Sequence, residues 1–199
     1  MAYQGSKVRL LVVPGLGNSG PGHWQTWLQQ RWRHSVRVEQ DHWDTPDLDR
    51  WADRIGETLQ AHPGHTWVAA AHSFGCLALA RYLCRFSWND SPVRAALLAA
   101  PADPDKFGVA ALLPQRPLGL PSYLVASDTD PWMSATKARD WAHRWRSHFI
   151  NLGDVGHINV EAGFGPWPQA HTLVQLLRQQ VHRTQRWRWA HPLELSFAV

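Results

Sequence analysis

The sequence predicts an α/β protein built on a mostly parallel, doubly wound sheet of about six strands with helices on both faces. Two observations predict it. Short apolar runs alternate with longer helix-like stretches along the chain, the pattern left by parallel strands joined through crossover helices. One of those runs ends at Ala71 and passes through His72-Ser73-Phe74-Gly75 straight into a helical stretch, a strand-to-helix turn of the kind such sheets carry at their carboxyl edge.

The elements follow in order. Val8–Val13 reads as the first core strand, and the loop Pro14-Gly15-Leu16-Gly17 leads to a helix at His23–Arg33. A strand at Val36–Glu39 and a helix at Leu48–Ala61 come next, then a strand at Trp67–Ala71 and a helix at Phe74–Phe86. Val93–Ala99, Tyr123–Ser127 and Phe149–Leu152 complete the strands, with helices at Ala135–Arg146 and Ala170–His182. Residues 101–121 break the alternation. Five prolines there oppose a long regular helix, while Phe107, Val109, Leu112, Leu113 and Leu118 suggest that the segment covers something, either as a short cap over a pocket or as a crossover packed on the sheet edge.

A chain of 199 residues, 44% hydrophobic, buries a sizeable core without staples. We expect one domain over residues 1–182 and a basic, aromatic extension over 183–199. No run approaches the roughly 20 apolar residues that span a bilayer. The first residues lack a charged region followed by an apolar core, and Cys76 and Cys84 lie roughly 12 Å apart along one predicted helix. That separation excludes an intrahelical disulfide and leaves two free thiols, which suits a reducing, cytoplasmic setting and supplies no metal framework. The 13 tryptophans and formal charge of +4 raise nucleic-acid binding, but no recognised module accompanies them. Only Arg183 to Trp189 mixes exposed charge with aromatics, in the manner of a solvated tail or a weak contact with anionic surfaces.

The chemistry starts at Ser73. A nucleophile elbow places serine at the apex of a strained strand-to-helix turn, so small residues are needed two positions before and two after. Gly75 meets the second requirement, and Ala71 offers the next smallest residue at the first. The same serine would also suit an ordinary helix N-cap. A serine hydroxyl becomes a nucleophile only when a base takes its proton, and the base needs a carboxylate to hold its tautomer. Among 12 histidines, His157 lies after a late strand and between glycine turns, as a general base would. His72 reads as a packing or hydrogen-bonding neighbour, and His23 as a residue of the pocket wall.

The acid is chosen among three. Asp103 follows the preceding strand, Asp128 suits the turn itself as an Asx residue, and Asp130 precedes Pro131, which fixes the backbone and removes a competing N–H. Asp130 is our choice. Oxyanion donors are expected from the backbone amides of Phe74 and Leu16, the latter in a Pro- and Gly-rich loop that allows close backbone approach. That loop lacks the lysine and spacing of nucleotide-binding glycine motifs. Trp24 and Trp132, with His23, are candidates for substrate contact.

The ordered set Pro14-Gly15-Leu16-Gly17, Gly22-His23-Trp24-Gln25-Thr26-Trp27, Asp41-His42-Trp43-Asp44-Thr45-Pro46, His72-Ser73-Phe74-Gly75-Cys76, Ser127-Asp128-Thr129-Asp130-Pro131 and Gly156-His157-Ile158-Asn159 resembles the small serine hydrolases of the retinoblastoma-binding-protein type. These belong to the α/β-hydrolase superfamily, and the resemblance spans about residues 7 to 181. It implies an α/β-hydrolase fold without the first antiparallel hairpin of larger members, and Ser73, Asp130 and His157 as nucleophile, acid and base. It further implies hydrolysis of esters or related acyl bonds with no metal or organic cofactor. The Leu-x-Cys-x-Glu signature for retinoblastoma protein is absent around Cys84, where Tyr82 and Phe86 stand, so no such partner is expected. The expected activity is a small-molecule esterase. An amidase or aminopeptidase-like enzyme and a non-catalytic binding protein on the same scaffold are the alternatives.

Overall fold

The computed structural model describes residues 8–86 and 90–189, with the backbone alone over 186–189. Six strands form one sheet, β1 (Val8–Val13), β2 (Ser35–Arg37), β3 (Thr66–His72), β4 (Val93–Ala99), β5 (Ser122–Ala126) and β6 (His148–Asn151), in the order β2-β1-β3-β4-β5-β6. Every pairing is parallel. Helices α1 (Trp24–Gln30), α2 (Leu48–Gln60), α3 (Phe74–Leu83), α4 (Ala135–Trp145) and α5 (Pro168–Trp189) make the crossovers and the final cover.

The alternation of side chains along each strand builds the two layers. Leu11, Val13, Ala69, Ala71, Ala96, Leu98, Leu124 and Ala126 face α2, α3 and α4, against Trp51, Ile55, Leu77, Trp141 and Trp145. Their neighbours Leu10, Val12, Val68, Ala70, Ala95, Leu97 and Val125 face α1 and α5, against Trp24, Leu28, Val174 and Leu177. Central strands buried on both sides are therefore apolar at nearly every position, and this is why they read as continuous runs.

Helix starts follow their capping residues. Asp47 accepts from the Arg50 amide at the head of α2, and Ser134 from the Lys137 amide at the head of α4. The predicted helix from His23 ends early, at Gln30, because the chain turns to bury Trp32 against the α1/α5 layer. Conversely α5 runs on to Trp189, so a boundary after residue 182 falls inside a helix. Gln185 on its added turns donates to the Thr66 hydroxyl at the start of β3. The side chains of Trp187 and Trp189, and Leu193, Leu195 and Phe197 of the expected extension, lie outside the described residues.

The proline-rich segment 101–121 contains one 3₁₀ turn, Ala110–Leu112. It packs as a crossover: Leu113 and Leu118 are buried, the Trp145 indole donates to the Pro114 carbonyl (3.0 Å), and the Leu118 amide donates to the Trp145 carbonyl (3.1 Å). Phe107 is its member that reaches the site described next. Cys76 is buried and Cys84 half-buried, both as free thiols. No helix among the described residues is long and apolar enough to cross a membrane.

Candidate active site

The carboxyl ends of β1, β3, β5 and β6 converge on one cavity of about 330 Å³. Ser73 follows the last residue of β3 and holds φ 52, ψ −125, a sparsely populated backbone state that raises its hydroxyl clear of the turn. Crowding at the elbow explains its small neighbours. A Cβ on Gly75 would sit 2.6 Å from the Val13 carbonyl oxygen and closer still to that of Pro14, and a Cβ on Gly15 would sit 2.7 Å from the Ser73 Cβ. Glycine at both positions lets the β1 loop and the elbow touch backbone to backbone.

His157 reaches Ser73 from the loop after β6. Its Nε2 is 2.9 Å from Ser73 Oγ, and its Nδ1 is 2.9 Å from each carboxylate oxygen of Asp130. The carboxylate accepts, so Nδ1 carries the proton and Nε2 is left to accept from the serine hydroxyl. Asp130, with 2% of its side chain exposed, also accepts from the Trp132 amide (2.8 Å), the first amide beyond Pro131. The proline thus removes one donor while the following residue supplies another.

The other two carboxylates are engaged elsewhere. Asp128 accepts from the Asn151 side-chain amide (2.7 Å), and Asp103 pairs with Lys137. The loops that carry Asp130 and His157 are stitched together besides: Ser127 donates to the Gly153 carbonyl, Thr129 donates to Asp154 and accepts from the Gly156 amide. Ile158 is fully buried at φ 51, a state that costs a β-branched residue of order 1–3 kcal/mol and that holds the turn presenting His157.

His72 and His23 extend the imidazole cluster. The His72 ring lies 4.9 Å from that of His157 and 4.8 Å from that of His23. His72 Nε2 donates to the His157 carbonyl (3.0 Å), which ties the His157 backbone to β3. Burial, and the neighbouring His23 and His157, push its pKa well down, so it stays neutral. His23 caps α1, with Nδ1 accepting from the Gln25 amide (3.1 Å). Burial, then the Arg37 guanidinium and His157, lower its pKa to about 4.

Leu16, His23 and Trp132 all line the cavity, joined by Asn18, Gly20, His72, Phe107, Asn159, Val160 and Glu161. Trp132 is 45% exposed, with its ring 6.1 Å from His157. Trp24 is a correction. It is fully buried, stands edge-on to Trp167 (5.1 Å) and His72, and does not line the cavity, because the first turn of α1 directs it into the α1/α5 layer. The amides of Phe74 and Leu16 donate to no acceptor among the described residues. Phe74 is clamped edge-on between Trp51 (5.1 Å) and Phe107 (5.0 Å), and the Gly17 amide beside Leu16 donates to the Trp43 carbonyl.

Two supporting residues have no role assigned to them from the sequence. Gln25 is fully buried and its amide donates to the carbonyls of Val13 and Ala70, bridging β1 and β3 beside the elbow. Arg37 donates to Asn18, the Ser19 carbonyl, Thr26 and Gln29, bracing the loop of Leu16 from below. A buried glutamine facing a sheet is a departure from helix patterning, and that departure, with its place inside the Gly22 to Trp27 motif, is the signal that could have found it. Among the described residues no three His, Cys, Asp or Glu side chains converge into a metal-ion site.

Comparison with known proteins agrees with this fold. A protein described as a YdeN-like hydrolase of Pectobacterium atrosepticum shares 34% identity and a TM-score of 0.78, over 86% of this chain and 92% of its own. The ydeN gene product of Bacillus subtilis (18% identity, TM-score 0.70, 87% and 100% covered) and the RedJ thioesterase of the prodiginine pathway in Streptomyces coelicolor (16%, 0.60, 87% and 85%) share the fold. No curated protein matches. The serine hydrolase family model matches residues 10–176, and the chain belongs to that family, on an α/β-hydrolase fold.

Proposed function

We propose that the protein is a cofactor-independent carboxylesterase acting on small acyl esters through an acyl-enzyme. One observation carries the reading: the unbroken hydrogen-bonded line from Asp130 through His157 to Ser73, with each contact at 2.9 Å. Ser73 Oγ attacks the ester carbonyl as its proton passes to His157 Nε2, and Asp130 stabilises the imidazolium. The tetrahedral oxyanion is held by the Phe74 and Leu16 amides. Its collapse expels the alcohol, which takes the proton from His157, and water then repeats the sequence to release the acid and restore Ser73.

A compact cavity of about 330 Å³ supports small substrates over polypeptides. His23 and Trp132, which line the cavity with Ser73, are proposed as substrate contacts. The intact line of three groups speaks against a pure binding protein, which has no use for an aligned base. An amidase would employ the same groups. Stopped-flow hydrolysis of a panel of 4-nitrophenyl esters and aminoacyl 4-nitroanilides tests the proposal. A burst of one nitrophenol per active site followed by slower turnover is expected on the esters. Turnover of the anilides with inert esters would replace it with the amidase reading.

A further inference from the structure

His23 and His72 each present one ring nitrogen that the mechanism above does not use, and the two nitrogens are complementary. The Gln25 amide occupies His23 Nδ1 as an acceptor, so the single proton of this ring is on Nε2. The His157 carbonyl takes the proton of His72 Nε2, so His72 Nδ1 is bare. Neither His23 Nε2 nor His72 Nδ1 has a hydrogen-bond partner among the described residues, and neither is among their fully enclosed unpartnered side-chain atoms. Both side chains are more than nine-tenths buried, and what remains open of them lines the cavity beside Ser73. The rings meet edge-on with centroids 4.8 Å apart and both line the cavity, so one wall carries both a donor and an acceptor.

We infer that this pair forms a subsite for a hydroxyl group of the substrate, accepting from His23 Nε2–H and donating to His72 Nδ1. A hydroxyl is the uncharged group of one heavy atom that serves both nitrogens at once. A carboxylate cannot donate to the bare nitrogen. No lysine or arginine among the cavity's lining residues offsets its charge, and Glu161 at the rim repels it. Both imidazoles stay neutral at assay pH, since burial holds their pKa values below the usual histidine range, so the donor and acceptor keep their roles. The inference rests on the serine hydrolase reading of Ser73 and adds a substrate class to it: small esters with a hydroxyl near the scissile bond, on the acyl or the alcohol side.

The test uses two isosteric pairs on the whole protein. The acyl-side pair is 4-nitrophenyl 3-hydroxybutyrate against 3-methylbutyrate, and the alcohol-side pair is 2-hydroxyethyl butyrate against propyl butyrate. One pair is expected to show at least about a tenfold preference in kcat/KM for the hydroxyl member, since a site built around a hydroxyl rejects the analogue that lacks it. His23→Asn keeps an N-capping oxygen for the Gln25 amide and replaces the imidazole Nε2–H with a side-chain amide that is shorter than the ring and stops short of that position. Its ratio for that pair is expected to fall to near one, with active sites counted by fluorophosphonate titration. No preference in either pair, or a preference that survives His23→Asn, overturns the subsite. A wild-type protein inert to fluorophosphonate would instead overturn the hydrolase reading beneath it. The wild-type ratios decide the matter even where the variant fails to fold.

Discussion

Both carboxylate oxygens of Asp130 lie 2.9 Å from Nδ1 of His157, and the same carboxylate is 2% exposed. A buried negative charge in that position fixes one tautomer of the imidazole, and the tautomer decides whether Nε2 can accept a proton from Ser73.

Asp130→Asn is therefore expected to lower kcat on the order of 10⁴-fold, because the amide can donate to Nδ1 and turn the proton to the wrong nitrogen. Asp128→Asn, which changes a contact with Asn151, should do far less, as should Asp103→Asn. Steady-state kinetics on one activated ester ranks the three. A larger effect from Asp128 or Asp103 would reassign the acid.

His72 touches the backbone of His157, the proposed base. His72→Leu removes the donor to the His157 carbonyl and is expected to cost up to about 10²-fold in kcat, the scale of a 1 Å displacement of a reacting group. The readout is kcat with active sites counted by titration. An unchanged kcat would show that the turn around Ile158 holds His157 without this tie.

Gly75→Ala places a Cβ against two backbone carbonyls that cannot swing aside. We expect a loss of about 3 kcal/mol or more in unfolding free energy, measured by urea denaturation, at the upper end of overpacking costs. A stability within 0.5 kcal/mol of wild type would mean that the contact between β1 and the elbow yields more readily than its packing indicates.

How much of this was legible in the sequence depended on whether local chemistry or tertiary packing decided the outcome. Ser73 and His157 could be read because strand ends and glycine turns mark their places, and Asp130 because Pro131 distinguishes it from Asp128. The strands of the sheet centre were legible from apolar runs buried on both faces. Trp24 was misread as a substrate contact because which way a residue in the first turn of a helix points depends on how the helix sits on the sheet. The end of α5 was placed too early because Arg183 to Trp189 resembles a solvated tail, although the nearest helix breaker, Pro192, stands only three residues beyond Trp189. Gln25 bridging two strands and His72 tying down the base are long-range bonds, with partners 45 and 85 residues away.

Acid should destabilise the fold through its buried histidines. Both His23 and His72 have folded-state pKa values below the ordinary 6.5, so the unfolded chain binds more protons as pH falls beneath that value. Stability is then fully present above about pH 6.5 and declines toward pH 4, by at most about 1.4 kcal/mol per pH unit for each histidine. Thermal melting between pH 7 and 4.5 measures it, and His23→Asn should flatten the slope. An unchanged slope in that variant would show that His23 is protonated in the folded protein.

The central claim is that Ser73 is an activated nucleophile, and covalent labelling by a fluorophosphonate tests it most directly. Intact-protein and peptide mass spectrometry should show one phosphonyl adduct per chain, located on Ser73, with Ser73→Ala losing both the adduct and ester turnover. A folded wild-type protein that stays unlabelled, or an adduct that persists in Ser73→Ala, would contradict the account.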